Sequence, residues 1–196
     1  MKIQEIKFKD KNNNYSIFIG KNSINILPKK IKLLCPSTNK IALIFDKKVP
    51  NKFRKILQDK LNNYNLVVLP FVANEKNKSL ETVNKFLKIL LSKNFNRSDL
   101  IISLGGGITG DVRGFAASLF KRGLKFINIP TTLLSQVKSC IGGKTGVNHK
   151  FGQSGMGSFN RRQRVSWDTH FLRTWPQTGI EWVTGQILKH SQYVKQ

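Results

Sequence analysis

Two glycine-rich segments with hydroxyl and charged side chains are the part of this sequence best suited to chemistry. The first reads SLGGGITGD from Ser103 to Asp111, and the second reads PTTLLSQVKSCIGGKTGVN from Pro130 to Asn148. Each follows a short apolar run, at 100–104 and at 126–129, of the kind that forms a buried strand. A strand that ends in glycines and opens onto a helix presents backbone N–H groups and the positive end of the helix dipole, which favour phosphate. Two such strand-to-helix corners in one sequence, each rich in glycine, indicate a dinucleotide rather than a single phosphate.

The first segment differs from the usual GxGxxG fingerprint, because three glycines stand in a row before a fourth glycine and an aspartate. Glycines allow a pyrophosphate to approach the backbone closely. Asp111 can hydrogen-bond a ribose or nicotinamide group, and the alternative is that its charge only complements the helix dipole. The candidate cofactor-binding residues here are Gly105, Gly106, Gly107, Ile108, Thr109, Gly110 and Asp111.

The second segment begins with a paired hydroxyl and ends with a lysine among glycines. Thr131 and Thr132 follow Pro130, and their hydroxyls can cap the next helix or bind a ligand. The stretch 142–146 resembles the end of a P-loop, but the GxxxxGK[ST] spacing fails, so we do not expect a nucleoside triphosphatase. Lys144 beside its glycines suits a phosphate or a carboxylate.

Other polar residues carry weaker signals. Glu75 and Lys78 lie between an expected strand and an expected helix, where a carboxylate can bind ribose hydroxyls; from the residues alone a solvated loop pair is the default interpretation. His149, His170 and His190 lack the spacing of a local metal cluster, so we expect surface or capping roles for them.

Composition limits the class of protein. The 196 residues carry 34 Lys and Arg against 10 Asp and Glu, a formal net charge of +24. Such charge suits a polyanion partner, but the lysines are scattered and no aromatic-interleaved RNA-binding motif is present, so nucleic acid is not the favoured partner. Cys35 and Cys140 form no disulfide framework, and neither a signal peptide nor a membrane-length apolar run is found. We therefore expect a cytoplasmic protein without a membrane partner.

Apolar periodicity predicts alternating strands and helices, and hence a parallel sheet with helices on both faces. Ligands bind such sheets beyond the carboxyl ends of the strands, where the glycine segments fall. Asn12-Asn13-Asn14 is expected to form a hairpin turn, and Ser79 is expected to cap a helix. Strands are expected at 3–8, 15–19, 40–45, 66–69, 100–104 and 125–129, and helices at 24–34, 53–61, 79–91 and 109–119.

Taken together, the runs LGGGITGD, GFAASLFKRG, FINIPTTLLSQV and IGGKTGVNHKFG resemble the N-terminal NAD-binding domain of 3-dehydroquinate synthase. The resemblance is strong over 100–152, looser before it, and weak after it. The resemblance implies a Rossmann-like fold. It implies an NAD-binding domain over 1–176, divergent from 151, and the start of a helical C-terminal domain over 177–196.

The resemblance also implies an activity. The family converts 3-deoxy-D-arabino-heptulosonate 7-phosphate, a phosphorylated sugar acid, to 3-dehydroquinate in the shikimate pathway. It is a carbon–oxygen lyase that uses NAD and a divalent metal, zinc or cobalt, and it acts as a homodimer. NAD accepts and returns a hydride, and the metal polarises the oxidised carbinol.

Residue roles carry over position by position. By resemblance Asp46 lies near the adenosine end of NAD, Glu75 and Lys78 bind ribose, 107–111 holds the pyrophosphate, and the paired threonines lie near the cofactor. A later cofactor-contacting segment matches Phe171, Leu172, Arg173 and Thr174. Lys144 and Lys189 match substrate-site lysines, Lys144 also meeting the cofactor, and Arg122 matches an arginine that reaches the substrate phosphate across a dimer interface.

Several positions depart from the family pattern. Lys138 replaces an aspartate, Gln153 and Ser154 replace a lysine and an asparagine, and Gln186 replaces the metal-binding glutamate. A neutral amide is a poorer ligand than a carboxylate for such a dication. Because the metal-binding histidines of the C-terminal domain are also not found, we expect this chain not to catalyse the reaction on its own. The alternatives are an NAD-binding fragment without catalysis and a basic polyanion-binding protein.

Overall fold

A parallel sheet with an antiparallel hairpin at one edge forms the frame of the protein. The computed structural model describes residues 3–10, 13–136, 143–149, 152–159, 164–169 and 171. The strands of these residues are β1 (Gln4–Asp10), β2 (Asn13–Gly20), β3 (Lys40–Asp46), β4 (Asn65–Phe71), β5 (Leu100–Gly105), β6 (Lys125–Pro130), β7 (Lys144–His149), β8 (Gly152–Phe159) and β9 (Arg164–Asp168). The α-helices are α1 (Leu27–Leu34), α2 (Asn51–Lys60), α3 (Leu80–Ser92) and α4 (Gly107–Leu119).

The main sheet has seven strands in the order β1-β2-β9-β6-β5-β3-β4. Strands β1 and β2 pair antiparallel, and each of the other neighbouring pairs in this sheet is parallel. Strands β7 and β8 form a separate antiparallel pair that contacts α4. The carboxyl ends of β3, β5 and β6 therefore lie side by side, and loops from these three strands meet at one edge.

Each face of the sheet is covered by helices. Side chains of β3 and β5 alternate between two cores, because successive residues of a strand point to opposite faces. One core contains Leu27 and Ile31 of α1 with Phe53 and Leu57 of α2, and the other contains helices α3 and α4. The predicted architecture, a parallel sheet between two helical layers, is confirmed.

Most predicted elements are confirmed, with differences at their ends. Asp10 pairs with Asn13, so Asn13 and Asn14 lie inside β2 rather than in the turn, because the hairpin closes earlier than expected. Helix α4 begins at Gly107, two residues before the expected Thr109, and the glycine segment is thus its first turn. In α3 the expected Ser79 cap is present, with Ser79 Oγ accepting from Thr82 N–H at 3.3 Å.

Two buried carboxylates accept hydrogen bonds from backbone N–H groups, one at each end of the strands of the main sheet. Asp168, at the end of β9, is 1% exposed and accepts the backbone N–H groups of Asn22 and Ile24 at 2.9 and 3.2 Å. Asp99, before β5, accepts from Lys40 N–H at 2.9 Å and from Asn96 N–H at 2.7 Å. Each carboxylate thus supplies an acceptor for backbone groups that are buried or partly buried. None of the described helices is long and apolar enough to traverse a bilayer.

Candidate functional site

The amino end of α4 is built to receive an anion. Its N-cap is Gly106, which has extended backbone, and none of the described side chains caps the helix or places an acid in its first turn. The N–H groups of a first helical turn have no partner within the helix, and Gly110 N–H is the first to bond back, to Gly106 O at 3.1 Å. The helix dipole adds positive potential at the same point. The first turn can therefore bind a phosphate through backbone groups.

The two glycine-rich segments meet at this helix end. Strands β5 and β6 are adjacent, with Gly105 opposite Pro130, and Thr131 N–H donates to Gly105 O at 3.0 Å. A Cβ on Gly106 would lie 3.5 Å from Thr132 Cγ2. We call Gly105, Gly106, Thr131 and Thr132 the glycine corner. The starts of the two glycine-rich segments thus lie together at the carboxyl ends of adjacent strands.

The second threonine of the corner has a structural role of its own. Thr132 Oγ1 accepts from Ser135 N–H at 3.3 Å and shares a hydroxyl contact of 2.8 Å with Ser135 Oγ. Thr132 thus caps the turn that follows it, which is one of the two roles expected for the paired threonines. The cap fixes the threonine backbone beside the first turn of α4.

A second group of polar residues lies against α4. Lys78 Nζ forms an ion pair with Asp111 Oδ2 at 2.9 Å, with side chains 12% and 22% exposed. Asn148 Nδ2 donates to Glu75 Oε2 at 2.7 Å. We call Glu75, Lys78, Asp111 and Asn148 the polar cluster. Lys78 is thus held against α4, while Glu75, which is exposed as the residues alone suggested, contacts β7 through Asn148.

Asp46 lies at the same edge of the sheet. Its backbone is level with the glycine corner, because Phe45 pairs with Leu104 in β5 and Asp46 pairs with Phe71 in β4. The Asp46 carboxylate is buried and accepts Lys48 N–H at 3.1 Å. Asp46 is therefore placed to lie close to one end of a ligand that extends from the glycine corner.

Arg113 is buried near this carboxylate. Its guanidinium lies between the rings of Phe71 and Phe86, with Cζ 3.7 and 3.8 Å from the two ring centres, and none of its nitrogens has a hydrogen-bond partner among the described residues. Burial lowers the pKa of Arg113 well below its usual value, and the Asp46 carboxylate acts in the opposite direction. The two groups therefore interact by charge, without a direct hydrogen bond.

Buried polar side chains lie under the glycine corner. Ser103 Oγ and Thr109 Oγ1 have no hydrogen-bond partner among the described residues, and the Asn128 side chain is buried beside them. Ser103 and Asn128 are register neighbours in β5 and β6, and Gly110 is close-packed on the Asn128 amide. Buried polar groups of this kind are commonly hydrated in proteins, so the floor of the site is polar.

Other predicted site residues have different positions in the fold. Arg122 precedes β6 and so lies at the opposite edge of the sheet, about 20 Å away by strand length. Lys144 is exposed at the start of β7, and Phe171 is buried with its ring 4.6 Å from that of Phe53. Lys138, Leu172, Arg173, Thr174, Gln186 and Lys189 lie outside the described residues.

The described residues contain no group of three or more His, Cys, Asp or Glu side chains that could hold a metal ion. The glycine corner and polar cluster, by contrast, combine backbone donors, hydroxyls, two carboxylates and an ammonium group, which are the groups that bind phosphates and sugar hydroxyls. The described part of the chain therefore fits a dinucleotide, and it does not itself supply a metal centre.

Asn148 and Arg113 are the residues that sequence reasoning missed. Asn148 stands within the distinctive run IGGKTGVNHKFG, but no spacing rule connects it to Glu75, from which 73 positions separate it. Arg113 follows Asp111 by two positions, and nothing in the spacing of the sequence indicates a place in the core for a charged side chain. Both contacts follow from the packing of β7 and α3 on α4.

A parallel sheet between helical layers, with a glycine-rich β5–α4 corner at its carboxyl edge, defines the class of Rossmann-like α/β domains. Residues 68–181 match the family model described as 3-dehydroquinate synthase N-terminal. The 3-dehydroquinate synthase of Pelagibacter ubique (strain HTCC1062) is 48% identical over 191 residues, which cover 97% of this chain and 52% of that protein. The chain belongs to the 3-dehydroquinate synthase family. It spans about half the length of the curated relatives it matches.

Solved structures agree on the fold. A 2-deoxy-scyllo-inosose synthase is similar with a TM-score of 0.80 and 26% identity, over 89% of this chain and 49% of that one. Another structure of this kind of enzyme, complexed with carbaglucose-6-phosphate, NAD+ and Co2+, gives a TM-score of 0.79 at 24% identity, over 88% of this chain and 48% of that one. These likenesses show that the sheet and helices are arranged as in the structures of 2-deoxy-scyllo-inosose synthase.

Proposed function

We propose that this chain forms the NAD-binding part of a 3-dehydroquinate synthase, which converts 3-deoxy-D-arabino-heptulosonate 7-phosphate to 3-dehydroquinate. The observation that supports it most is the hydrogen bond from Thr131 N–H to Gly105 O, which brings both loop segments to the uncapped end of α4. The domain would cover 1–176, with 177–196 beginning the helical C-terminal domain.

The geometry suggests which groups hold each part of NAD. The first-turn N–H groups of α4, over 107–109, face the diphosphate, and the threonine pair of the glycine corner lies beside it. Glu75 accepts hydroxyls of a ribose, while Lys78, held by Asp111, keeps a positive charge beside the cofactor. Asp46 stands at the adenosine end. By family resemblance, Leu172, Arg173 and Thr174 complete this contact surface, next to Phe171, whose buried ring packs on Phe53.

When bound, NAD supplies a temporary oxidation of one substrate hydroxyl, which acidifies the neighbouring proton and permits loss of phosphate. The chain's own residues bind and orient the substrate. Lys144 and Lys189 offer ammonium groups to its anionic parts, and Arg122 offers a guanidinium to its phosphate. Because Arg122 lies at the far edge of its own sheet, that contact requires a second copy of the chain, as in a homodimer.

The family's divalent metal would need ligands from outside the described residues. Gln186 stands where the family has a metal-binding glutamate, and an amide oxygen binds such a cation more weakly than a carboxylate. We therefore expect NAD binding to be retained and turnover to be slow or absent. A coupled assay of phosphate release with NAD, zinc and substrate tests this, and ready turnover would contradict it.

Calorimetric titration with NAD tests the binding role. We expect Lys78→Met to weaken NAD binding about tenfold, which corresponds to about 1.4 kcal/mol, because an ammonium group beside the cofactor is lost. Lys85→Met is the matched control, since Lys85 is paired with Glu81 on an exposed face of α3 at 2.7 Å. Equal effects of the two substitutions, or no binding by the wild-type chain, would contradict the assignment.

A further inference from the structure

Asn148 holds both ends of the turn that carries Glu75 and Lys78. Its side-chain Nδ2 donates to Glu75 Oε2 at 2.7 Å, and its backbone N–H donates to Lys78 O at 2.7 Å. Ser79 and Asn148 also form a parallel β-bridge. One residue of β7 therefore ties the turn after β4 to the strand that packs on α4.

The turn is already ordered by its own backbone. Lys78 N–H donates to Glu75 O at 3.1 Å, and Asn77 N–H donates to Asn74 Oδ1 at 2.8 Å. Asn77 Nδ2 reaches Val72 O at 2.9 Å. These bonds fix the backbone of the turn but leave the Glu75 carboxylate to be oriented by something else, and the Asn148 amide is the group that contacts it.

We propose that Asn148 is a positioning residue, which orients the Glu75 carboxylate for the hydroxyls of a ribose; this rests on the proposed NAD-binding function. A carboxylate offers about four lone-pair sites, so one amide donor leaves sites for a sugar diol. A long side chain that is already held in its binding rotamer loses less freedom when the ligand arrives. The same contact joins the cofactor site to β7, the strand that begins with Lys144.

If Asn148 only tied β7 to the turn, replacing its side chain would leave NAD affinity unchanged. The bond from Asn148 N–H to Lys78 O belongs to the backbone, and it remains when the side chain is replaced. Substitutions of Asn148 therefore test the contact with Glu75 while the tie between β7 and the turn is kept. Asn63, an exposed residue of the turn after α2, provides a matched control for the loss of an asparagine amide.

The test is a double-mutant cycle on NAD affinity, measured by calorimetry. We expect Asn148→Ala to raise the Kd about tenfold and Asn148→Asp to raise it further, since a second carboxylate repels Glu75. Asn148→Ala should have little effect once Glu75→Ala is present, because the two residues act through one contact. Asn63→Ala should leave the Kd unchanged, and the melting temperatures of the Asn148 variants should match that of the wild type.

The outcomes separate this inference from the function on which it rests. NAD binding by the wild type with no change in Asn148→Ala, or with additive effects of the two substitutions, overturns the inference and leaves the proposed function standing. No NAD binding by the wild type overturns both. As a further check without ligand, the side-chain amide resonances of Asn148 should shift in Glu75→Ala, and unchanged resonances would contradict the contact itself.

Discussion

Arg113 is the largest side chain among the fully buried residues of the described core. A buried guanidinium loses its hydration, and here the two phenylalanine rings and the nearby Asp46 carboxylate replace it only in part. Stacking on the face of an aromatic ring contributes about 0.5–2 kcal/mol, which does not offset the loss of every hydrogen bond. At the residue scale, Arg113 is therefore a source of instability close to the candidate site.

Arg113→Met should stabilise the protein by about 1–4 kcal/mol, since a flexible apolar side chain can fill the space between the two rings without a desolvation penalty. The measurement is urea unfolding at neutral pH. Arg97→Met, at an exposed position, should change stability by no more than about 0.5 kcal/mol. A destabilised Arg113→Met would show that the guanidinium contributes more than its contacts indicate.

At the scale of elements, α4 is the part that organises the site. Its amino end forms the glycine corner with β5 and β6, its second turn supplies Asp111, and its middle packs on β7. The approach of β7 is close at one point, because a Cβ on Gly114 would overlap Thr145 Cγ2. Next to it, Thr145 Oγ1 donates to Ser158 O at 3.0 Å and Ser158 Oγ donates to Ser118 Oγ at 2.7 Å.

Gly114→Ala should destabilise the protein by about 1–3 kcal/mol, because the new methyl group overpacks the α4–β7 contact. Thr145→Ser removes the overlapping methyl group and keeps the hydroxyl that bonds Ser158 O. The double variant should therefore regain most of the stability lost in Gly114→Ala. Thermal unfolding of the wild type, the two single variants and the double variant measures this. If the stability losses of the two single variants simply add in the double variant, the contact between residues 114 and 145 is not the cause.

The sequence allowed the alternation of elements and the meeting of the glycine segments to be predicted, because both depend on local periodicity and on the carboxyl-edge rule for parallel sheets. It did not allow prediction of the β7–β8 pair, whose glycines carry no apolar alternation. Helical spacing groups Leu91 of α3 with Val83, Phe86 and Leu90, but Leu91 is 55% exposed, because those three side chains already cover the sheet. Long-range contacts such as Glu75–Asn148 have no local signal.

At the scale of the whole molecule, β9 completes the sheet. It pairs with β2 on one side and with β6 on the other, so the hairpin of β1 and β2 joins the parallel strands through it. Asp168 fixes its end to the backbone at Asn22 and Ile24. A residue late in the chain thus secures a segment near its beginning.

Asp168→Ala should cost about 3 kcal/mol, since the buried N–H group of Ile24 and the partly buried N–H group of Asn22 lose a charged acceptor. Hydrogen exchange should show the largest loss of protection in β2, and urea unfolding should give the change in global stability. Asp59→Ala, at an exposed site on α2, should change stability by no more than about 0.5 kcal/mol. Unchanged exchange in β2 would contradict the role given to Asp168.

The net charge of +24 also acts on the whole molecule. We expect weak binding to duplex DNA at about 50 mM salt that is lost at about 200 mM, because scattered lysines bind phosphates without a shaped groove. Filter binding across a salt series measures this. Retention at the higher concentration would favour the alternative of a polyanion-binding protein, and a flat salt response would exclude charge-driven binding.

The place of β9 between β2 and β6 has a consequence for synthesis on the ribosome. The hairpin of β1 and β2 is translated before β9, its neighbour in the sheet, which begins about 140 residues after β2 ends. At about 5–20 residues per second the delay is roughly 7–29 seconds. During that interval β2 offers an unpaired edge to other nascent chains. Chaperone occupancy on the growing polypeptide should therefore persist until Asp168 has left the exit tunnel.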